Sequence, residues 1–263
     1  MPRLSFQHFT ATIAVLALGG WAVTNAVMTG ALRVQRQPDA PVLGQQMHDY
    51  LVAHPEVITE AQQTLAKRQA AERQIAFRQI LTANHEAVFN DKTDPIVGNP
   101  QGDVTIVEFY DPDCPFCRAL APTLAQLISE DHGVRLIIKD YPILGPGSEL
   151  ASRYALASIK QGKYAELHKT IMASKLPEHE LDQAKIEGFA AAAELDVARL
   201  KTDADDPAIT RKIADNRVLA RTLGIAGTPG LIIGDQMQGG AMPIEALKKI
   251  VADARERNSA SLH

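Results

Sequence analysis

The sequence predicts an α/β domain that follows an N-terminal helical extension and a hydrophobic segment. Residues 104–110 (VTIVEFY) and 134–141 (VRLIIKDY) have the apolar and β-branched composition of buried strands, and a helical segment at 115–129 separates them. Strand, helix and strand in this order are typical of a parallel βαβ unit. Residues 9–32 form an uncharged apolar run outside this unit.

Composition excludes several classes of protein. The chain has 263 residues, of which 46% are apolar, so it can build at least one core. Its formal net charge is -4, and without an overall basic excess we expect no nucleic-acid partner. Its two cysteines can neither staple a disulfide scaffold nor complete a four-ligand structural zinc site.

The N-terminal segment predicts contact with a membrane. The uncharged run at residues 9–32 is longer than the roughly 20 residues that a helix needs to cross a bilayer. Residues 1–34 are therefore interpreted as a signal anchor or as a signal peptide that is cleaved after small residues. A buried helix of a soluble domain is the third alternative, although the segment has almost no polar face.

A helical extension is expected over residues 35–92. Pro55 favours the start of a new helix, and helical periodicity then continues over residues 56–89. A helix of that length with a thin apolar stripe favours an oligomerisation stalk, which would make the protein a homo-oligomer such as a trimer. A helix that folds back on the next domain and a mobile spacer remain the alternatives, because Arg68 and Glu72 interrupt any heptad seam.

The main domain is assigned to residues 93–257, with a tail at 258–263. After the βαβ unit, residues 147–223 are alanine-rich and helical. A strand is predicted at 231–233, and an amphipathic helix at 243–257 closes the domain.

Cys114 and Cys117 lie where the first strand ends and the following helix begins. Free backbone N–H groups and the helix dipole stabilise a thiolate at a helix N-terminus, so we expect a lowered pKa for Cys114. Cys117 lies one turn further along and is expected to be less exposed. This arrangement suits an attacking thiol and a resolving thiol.

Other uses of a Cys-x-x-Cys pair remain open. A zinc knuckle needs two further ligands, and neither a second cysteine pair nor an HxxxH spacing follows. Two thiolates can bind copper(I), which prefers soft sulfur ligands. The pair could also form a structural disulfide or remain inert, but the strand–turn–helix context favours dithiol redox chemistry.

Glu108 and the Thr228–Pro229 pair are two further candidates. Glu108 is a carboxylate in an apolar strand six residues before Cys114, where it could carry a proton to or from Cys117. A surface acid at a sheet edge is the alternative. Pro229 directly precedes the strand at 231–233, and physical reasoning alone predicts an ordinary turn with a trans peptide bond.

Three segments, EFYDPDCPFC, KDYPILGPGS and GIAGTPGLIIGD, resemble DsbA-like thiol-disulfide oxidoreductases of the thioredoxin superfamily over about residues 94–257. The segment HDYLVAHPEVITEAQQTLAKRQ resembles the N-terminal helical region of the ScsC-like (suppressor of copper sensitivity) branch. The resemblance implies a thioredoxin fold in which the helical insertion at about 147–223 caps the active site.

The resemblance also implies roles for individual residues. Cys114 is implied to be the nucleophile, Cys117 the resolving thiol and Glu108 the buried acid. Thr228 and Pro229 are implied to form a cis-proline pair that faces the dithiol and pairs with an extended client segment.

The resemblance gives weaker guidance on the partner of Glu108 and on the client groove. Lys139, near the end of a strand, is a weaker candidate for the partner of Glu108. Gly230 and Leu231 stand where many relatives have a small polar residue and an aromatic residue. The resemblance therefore does not predict the shape of the client groove in this chain.

We therefore expect a protein thiol-disulfide oxidoreductase of the bacterial periplasm that acts as an oxidase, isomerase or reductase. It would need no cofactor or metal beyond the Cys114–Cys117 dithiol. Its expected partners are unfolded or misoxidised client proteins, a membrane redox protein of the DsbB or DsbD/ScsB kind, and the membrane itself through residues 9–32. The alternative is a copper(I)-binding dithiol protein without catalytic turnover.

Overall fold

The computed structural model describes residues 40–260 and divides the chain into two units, Met1–Lys67 and Arg68–His263. The first unit contains helix α1 (Ala40–Ala53) and the beginning of helix α2 (Glu56–Ala83). All side chains at residues 41–67 are at least partly exposed. The large apolar side chains among them that are exposed are Val42, Leu43, Met47, Tyr50, Val52, Ile58 and Leu65.

The single helix predicted over residues 56–89 is interrupted. Helix α2 ends at Ala83, and the short helix α3 (His85–Phe89) follows. Asn84 lies between them with a φ of -113°, and its side-chain amide donates a hydrogen bond to the carbonyl oxygen of Ile80 at 2.8 Å. The Asn84 N–H still donates to the Ile80 carbonyl oxygen at 3.1 Å, so the break lies in the non-helical backbone angles of Asn84 and not in a lost bond to Ile80.

A five-stranded mixed sheet forms the centre of the second unit, in the order β1-β3-β2-β4-β5. The central pair β2 and β3 is parallel, as the βαβ pattern predicts, and the other pairs are antiparallel. The sequence does not predict the two edge strands, which are short and only partly buried. The strands are β1 (Ile96–Gly98), β2 (Val104–Tyr110), β3 (Val134–Asp140), β4 (Gly230–Ile233) and β5 (Gln236–Gly239).

Helices cover both faces of this sheet. Between β3 and β4 the predicted helical insertion consists of five helices and a 3₁₀ turn. Asp206 is the N-cap of the last of these helices, and its side chain accepts a hydrogen bond from the Ala208 N–H at 2.9 Å. The helices are α4 (Pro115–Glu130), α5 (Pro146–Ala157), α6 (Tyr164–Met172), α7 (Gln183–Ala192), α8 (Val197–Ala204), α9 (Pro207–Thr222) and α10 (Ile244–Ala260), and the 3₁₀ turn is Ser158–Gln161.

The two faces of the sheet belong to separate apolar clusters. Ile106, Tyr110 and Ile138 contribute to the larger cluster, which includes the buried residues of α4. Val107 and Phe109 point to the other face, where the end of α2 and helix α9 provide the packing partners. Because side chains alternate along a strand, Glu108 lies on the same face as Ile106 and Tyr110, beneath α4.

The predicted membrane segment at residues 9–32 lies outside the described residues. Within residues 40–260, none of the helices combines the length and the apolar character that crossing a membrane requires.

Candidate active site

Cys114 occupies the N-cap position of α4, directly after the turn that follows β2. Its backbone is extended, with φ -75° and ψ 120°, and Pro115 takes the first helical position. The Cys114 N–H donates to the Asp111 carbonyl oxygen at 3.1 Å, which closes the turn. Both cysteines are free thiols, with Cys114 4% exposed and Cys117 fully buried. The expected difference in exposure is present, although it is small.

The two thiols have opposite electrostatic surroundings. A hydrogen bond from the Cys117 thiol and the backbone N–H groups of Cys117 and Phe116 lower the pKa of Cys114 to about 6, against the effect of burial. Burial, together with the adjacent Cys114 and Glu108, raises the pKa of Cys117 well above its ordinary value. Near neutral pH, Cys114 is therefore a thiolate and Cys117 a thiol.

Glu108 is a buried acid beneath the dithiol and not a surface carboxylate. It is 2% exposed, and its cross-strand neighbours are the apolar residues Ile138 and Leu231. Burial, with a contribution from the Cys114 thiolate, raises the pKa of Glu108 to about 8. Glu108 lines a cavity of about 400 Å³ between α4 and α6. A carboxyl with a pKa close to neutral pH can both accept and release a proton.

Lys139 is not the partner of Glu108. In the parallel register Glu108 pairs with Ile138 and Phe109 pairs with Lys139, so the lysine side chain leaves the opposite face of the sheet. There its ammonium group forms an ion pair with Asp94 and donates to the Ala87 carbonyl oxygen at 2.7 Å. The fully buried Lys139 therefore fastens the segment before β1 to the sheet.

The loop before β4 brings a backbone carbonyl to the nucleophile. The Thr228–Pro229 peptide bond is cis, as the resemblance implies. The Cys114 sulfur lies 3.2 Å from the Thr228 carbonyl oxygen, and in its protonated form it donates a hydrogen bond to that oxygen. A Cβ atom at Gly230 would lie 2.5 Å from the Ile225 side chain, so the close packing of this loop explains the glycine at that position.

Asp111 organises the turn beside Cys114, and sequence reasoning did not single it out. Its buried carboxylate accepts hydrogen bonds from the Asp113 N–H at 2.8 Å, the Ile143 N–H at 2.6 Å and the Leu144 N–H at 2.9 Å, and also from the Ser148 hydroxyl. The carboxylate thus joins the active-site turn to the loop between β3 and α5.

Asp113 connects the same turn to the helical insertion. Its carboxylate, 1% exposed, accepts hydrogen bonds from the Arg118 guanidinium at 2.8 Å and from the His179 N–H at 2.6 Å. Arg118 also donates to the Leu176 carbonyl oxygen at 2.5 Å. The Asp-Pro-Asp sequence before Cys114 is the only sequence signal for this role, because His179 lies 66 residues further along the chain.

The structure offers no ready metal centre in the part of the chain that it describes. Residues 40–260 contain no group of three or more His, Cys, Asp or Glu side chains placed to hold a metal ion.

Comparison with known families matches two regions of the chain. The family model described as Thioredoxin matches residues 90–253. The model described as Copper resistance protein ScsC N-terminal domain matches residues 43–72.

Three bacterial proteins of known structure share this fold. A thioredoxin-like oxidoreductase from Silicibacter pomeroyi DSS-3 is 37% identical, with a TM-score of 0.63, and the match covers 66% of this chain and 98% of that one. The catalytic domain of Proteus mirabilis ScsC is 31% identical, with a TM-score of 0.63 and coverage of 68% and 98%. A periplasmic thioredoxin-like protein from Salmonella enterica serovar Typhimurium is 32% identical, with a TM-score of 0.60 and coverage of 65% and 95%.

The curated relatives that match are longer proteins. The Na(+)/H(+) antiporter NhaA 3 of Salinispora tropica is 26% identical over 275 residues, a match that covers 97% of this chain. The chain spans 40% of the length of that relative.

Proposed function

The chain belongs to the thioredoxin family, within its ScsC- and DsbA-like thiol-disulfide oxidoreductases, and from this premise we propose that it exchanges disulfides with client proteins through Cys114 and Cys117. The observation that supports the proposal is the contrast between the pKa values of the two thiols. The pKa of Cys114 is lowered at the N-terminus of α4, whereas the pKa of the buried Cys117 is raised. A thiolate beside a protonated partner is the arrangement that disulfide exchange requires.

In the reducing direction, the Cys114 thiolate attacks one sulfur of a client disulfide. The client S–S bond breaks, one client thiolate leaves and a mixed disulfide with Cys114 forms. Cys117 then transfers its proton to Glu108, and its sulfur attacks Cys114. The second client thiolate leaves, and Cys114 and Cys117 are joined in a disulfide, so that two electrons have passed to the client. Oxidation of a client dithiol follows the same steps in reverse.

The client segment is proposed to bind along the loop that contains Thr228 and Pro229. The Thr228 carbonyl oxygen lies beside the Cys114 sulfur, and an extended client chain can pair with backbone groups at this point. A groove of about 240 Å³ runs along residues 224–230 and has Met237 on its wall. The exposed Phe116, between the two cysteines, adds an apolar contact for the client.

Enzyme assays test this proposal directly. Insulin reduction and the refolding of scrambled ribonuclease should both proceed with wild-type protein and fail with Cys114→Ala. Equal rates for wild type and Cys114→Ala in both assays would refute it. Cys117→Ala is the matched control, because it keeps the nucleophile and should stop turnover at the mixed disulfide.

The N-terminal extension is proposed to form the stalk of an oligomer, such as a trimer. Support comes from the exposed apolar side chains of residues 41–67 and from the match to the ScsC N-terminal domain. Several dithiols that face one client favour isomerisation. Light scattering on residues 38–263 tests the stalk, and a clean monomer at micromolar concentration would refute it.

The proposed location is the bacterial periplasm, where residues 9–32 act as a membrane anchor or as a cleaved signal. The similarity to a periplasmic protein and the apolar character of this segment support the location. A membrane redox protein of the DsbB kind would keep the dithiol oxidised, and one of the DsbD/ScsB kind would keep it reduced. Trapping the thiols in cells separates the two, since an oxidised pair indicates an oxidase and a reduced pair an isomerase or reductase.

Copper(I) binding without turnover is the second candidate, and the copper-resistance description of the family that matches residues 43–72 favours it. Two adjacent free thiols suit a soft cation. Competition with a chromophoric copper(I) chelator measures the binding. The second candidate requires binding that is lost in Cys114→Ala, together with no disulfide turnover by the wild type.

A further inference from the structure

The cavity that Glu108 lines is a cleft between α4 and α6, with a volume of about 400 Å³. Short side chains form much of its wall: Ala121 and Ala125 belong to α4, Ala165 belongs to α6, and Ala173 directly follows α6. The two helices therefore leave a gap that larger side chains would close. Folded interiors contain few voids of this size, and most small-molecule sites are clefts of comparable volume.

The cleft has an exposed rim and a buried floor. Ala165 and Lys169 are exposed, whereas Ile138 and Glu108, which belong to the sheet, are buried. Apart from Glu108, His168 and Lys169, all the residues that line the cleft are apolar. Apolar walls with a few polar groups are typical of a site that holds a small apolar ligand and orients it through hydrogen bonds.

Two polar side chains on the cleft lack hydrogen-bond partners in the described part of the chain. They are the Glu108 carboxyl and the His168 ring, whose Nε2 atom is buried. Burial raises the pKa of Glu108 to about 8 and lowers the pKa of His168 to about 4, so the neutral form of each predominates at pH 7. Buried polar groups are nearly always hydrogen-bonded, and these unmet bonds point to a ligand.

The ring of His168 is held by two tyrosines. Its centroid lies 4.7 Å from that of Tyr110, edge to face, and 5.9 Å from that of Tyr164, in a stacked arrangement. The hydroxyl groups of both tyrosines donate hydrogen bonds to the buried Asp140 carboxyl at 3.0 Å. This part of the cleft is therefore preformed, which lowers the cost of ordering it around a ligand.

An uncharged apolar molecule with one hydroxyl group fits these features. An apolar cavity of roughly 150 Å³ holds benzene, so the volume of this cleft accommodates two fused rings. A hydroxyl group both donates and accepts hydrogen bonds, which matches the protonated Glu108 carboxyl. A charged ligand would lose its hydration against the apolar walls, and the ammonium group of Lys169 lies at the exposed rim, away from the floor.

We propose that the cleft between α4 and α6 binds an uncharged, hydroxyl-bearing apolar molecule whose hydroxyl group forms a hydrogen bond with the Glu108 carboxyl. The bound molecule displaces water from the carboxyl and disfavours its ionised form, which accepts the proton of Cys117. Occupancy of the cleft should therefore slow the resolving step and inhibit turnover. This inhibition rests on the proposed function, whereas the binding itself does not.

Isothermal titration calorimetry of the oxidised protein with two probes of the same shape tests the binding. The probes are 2-naphthol, which carries the hydroxyl group, and 2-methylnaphthalene, which has a methyl group in its place. The ratio of the two affinities should shift against 2-naphthol by about fivefold or more in Glu108→Leu, as expected for one lost hydrogen bond. His168→Phe, which keeps an aromatic ring between the tyrosines, should leave the ratio unchanged.

Two outcomes of this titration overturn the inference. If neither probe binds to the wild type, the cleft holds water alone. If the affinity ratio is the same in Glu108→Leu and wild type, the occupant is not oriented by the carboxyl, and a purely apolar molecule fits as well.

Substitutions on α4 test where the probes bind. Ala125→Phe places a large side chain on the wall of the cleft and should abolish the binding of both probes. Gln126→Phe is the matched control, because Gln126 is exposed on the same helix and does not line the cleft. Binding that survives Ala125→Phe would place the probes elsewhere and overturn the inference. Circular dichroism spectra and melting curves confirm that each variant is folded.

Kinetics with a disulfide-bonded peptide client test the inhibition. In the wild type, 2-naphthol should slow reduction of the client, with half of the effect at a concentration equal to its Kd. Binding without any slowing would overturn the inhibitory role. If the wild type does not reduce the client even without the probe, the proposed function fails, and the titration still decides whether the cleft is a binding site.

Discussion

The Cys114 sulfur lies 3.2 Å from the Thr228 carbonyl oxygen, so the N-terminus of α4 meets the loop before β4 at the nucleophile. A client segment that pairs with this loop would place its own sulfur next to the nucleophile. The Cys117 thiol forms a hydrogen bond with the same sulfur atom, and Glu108 in turn raises the pKa of Cys117, so the two sulfur atoms connect the Thr228 loop to the buried acid.

The reactivity of Cys114 should depend on Cys117. In the wild type the rate of alkylation by iodoacetamide should rise with pH around a midpoint of about 6, the lowered pKa of Cys114. Because the hydrogen bond from Cys117 is the main cause of that lowering, Cys117→Ala should move the midpoint upward by about one unit or more. Alkylation of the denatured protein gives the reference, and identical midpoints for the wild type and Cys117→Ala would contradict this assignment.

Glu108 should make the stability of the folded protein depend on pH. Its pKa is about 8 in the folded state and near the ordinary 4.5 in the unfolded state, so its neutral form is favoured by folding. Its contribution is therefore complete below pH 4.5 and is lost as the pH rises through 8. Glu108→Gln should abolish this loss and exceed the wild type at pH 8 by up to about 4 kcal/mol.

Urea denaturation of the oxidised form measures this difference, because the disulfide removes the titration of the two thiols. It also removes the Cys114 thiolate, the smaller cause of the raised Glu108 pKa, and leaves burial, the larger one. The curves for wild type and Glu108→Gln should converge near pH 4.5 and separate as the pH rises. Parallel curves across this range would mean that Glu108 titrates normally in the folded protein.

Lys139 should be needed for stability and not for proton transfer. Lys139→Met leaves the buried Asp94 with one cation, Lys212, in place of two, and also removes the bond to the Ala87 carbonyl oxygen. We expect a loss of about 3 kcal/mol in the free energy of unfolding. The pH dependence of insulin reduction should remain that of the wild type, whereas Glu108→Gln should alter it. A changed pH profile in Lys139→Met would show that Lys139 does take part in proton transfer with Glu108.

Strand alternation explains why Lys139, a weaker candidate for the partner of Glu108, lies on the other face of the sheet. The sequence places both Glu108 and Lys139 on predicted strands, but it does not specify the register between β2 and β3. A shift of one residue moves a side chain to the other face of a sheet. The Cys114 site was predictable because a helix N-terminus is a local feature that the strand, the Pro115 signal and the cysteine spacing define together.

The hydrogen bonds of Asp111 and Asp113 were not predictable for the opposite reason. Their donors include the Ile143 and His179 N–H groups, which come from loops far along the chain. No residue spacing near Asp111 or Asp113 predicts these bonds. Residues 96–98 and 236–239 likewise lack the long apolar runs of β2 and β3, and pairing with neighbouring strands is what makes them extended.

Asp111 should be among the residues of the active-site turn that are most sensitive to substitution. Asp111→Asn replaces one acceptor oxygen with an amide donor that faces backbone N–H groups, and a buried donor without a partner is costly. We expect about 3 kcal/mol of destabilisation, measured by urea denaturation. Glu194→Gln, in the exposed pair with Lys163, is the control and should change the stability little. Equal stabilities of Asp111→Asn and wild type would show that the carboxylate does not hold the loop between β3 and α5.

Trapping of the mixed disulfide is the measurement that tests the central claim most directly. Cys117→Ala, incubated with a disulfide-bonded peptide client, should accumulate one covalent adduct per chain, which mass spectrometry places on Cys114. Cys114→Ala should form no such adduct at neutral pH, because burial holds Cys117 in its protonated form. An adduct on Cys117 in Cys114→Ala at the same rate, or no adduct in either variant, would contradict the assignment of Cys114 as nucleophile and Cys117 as resolving thiol.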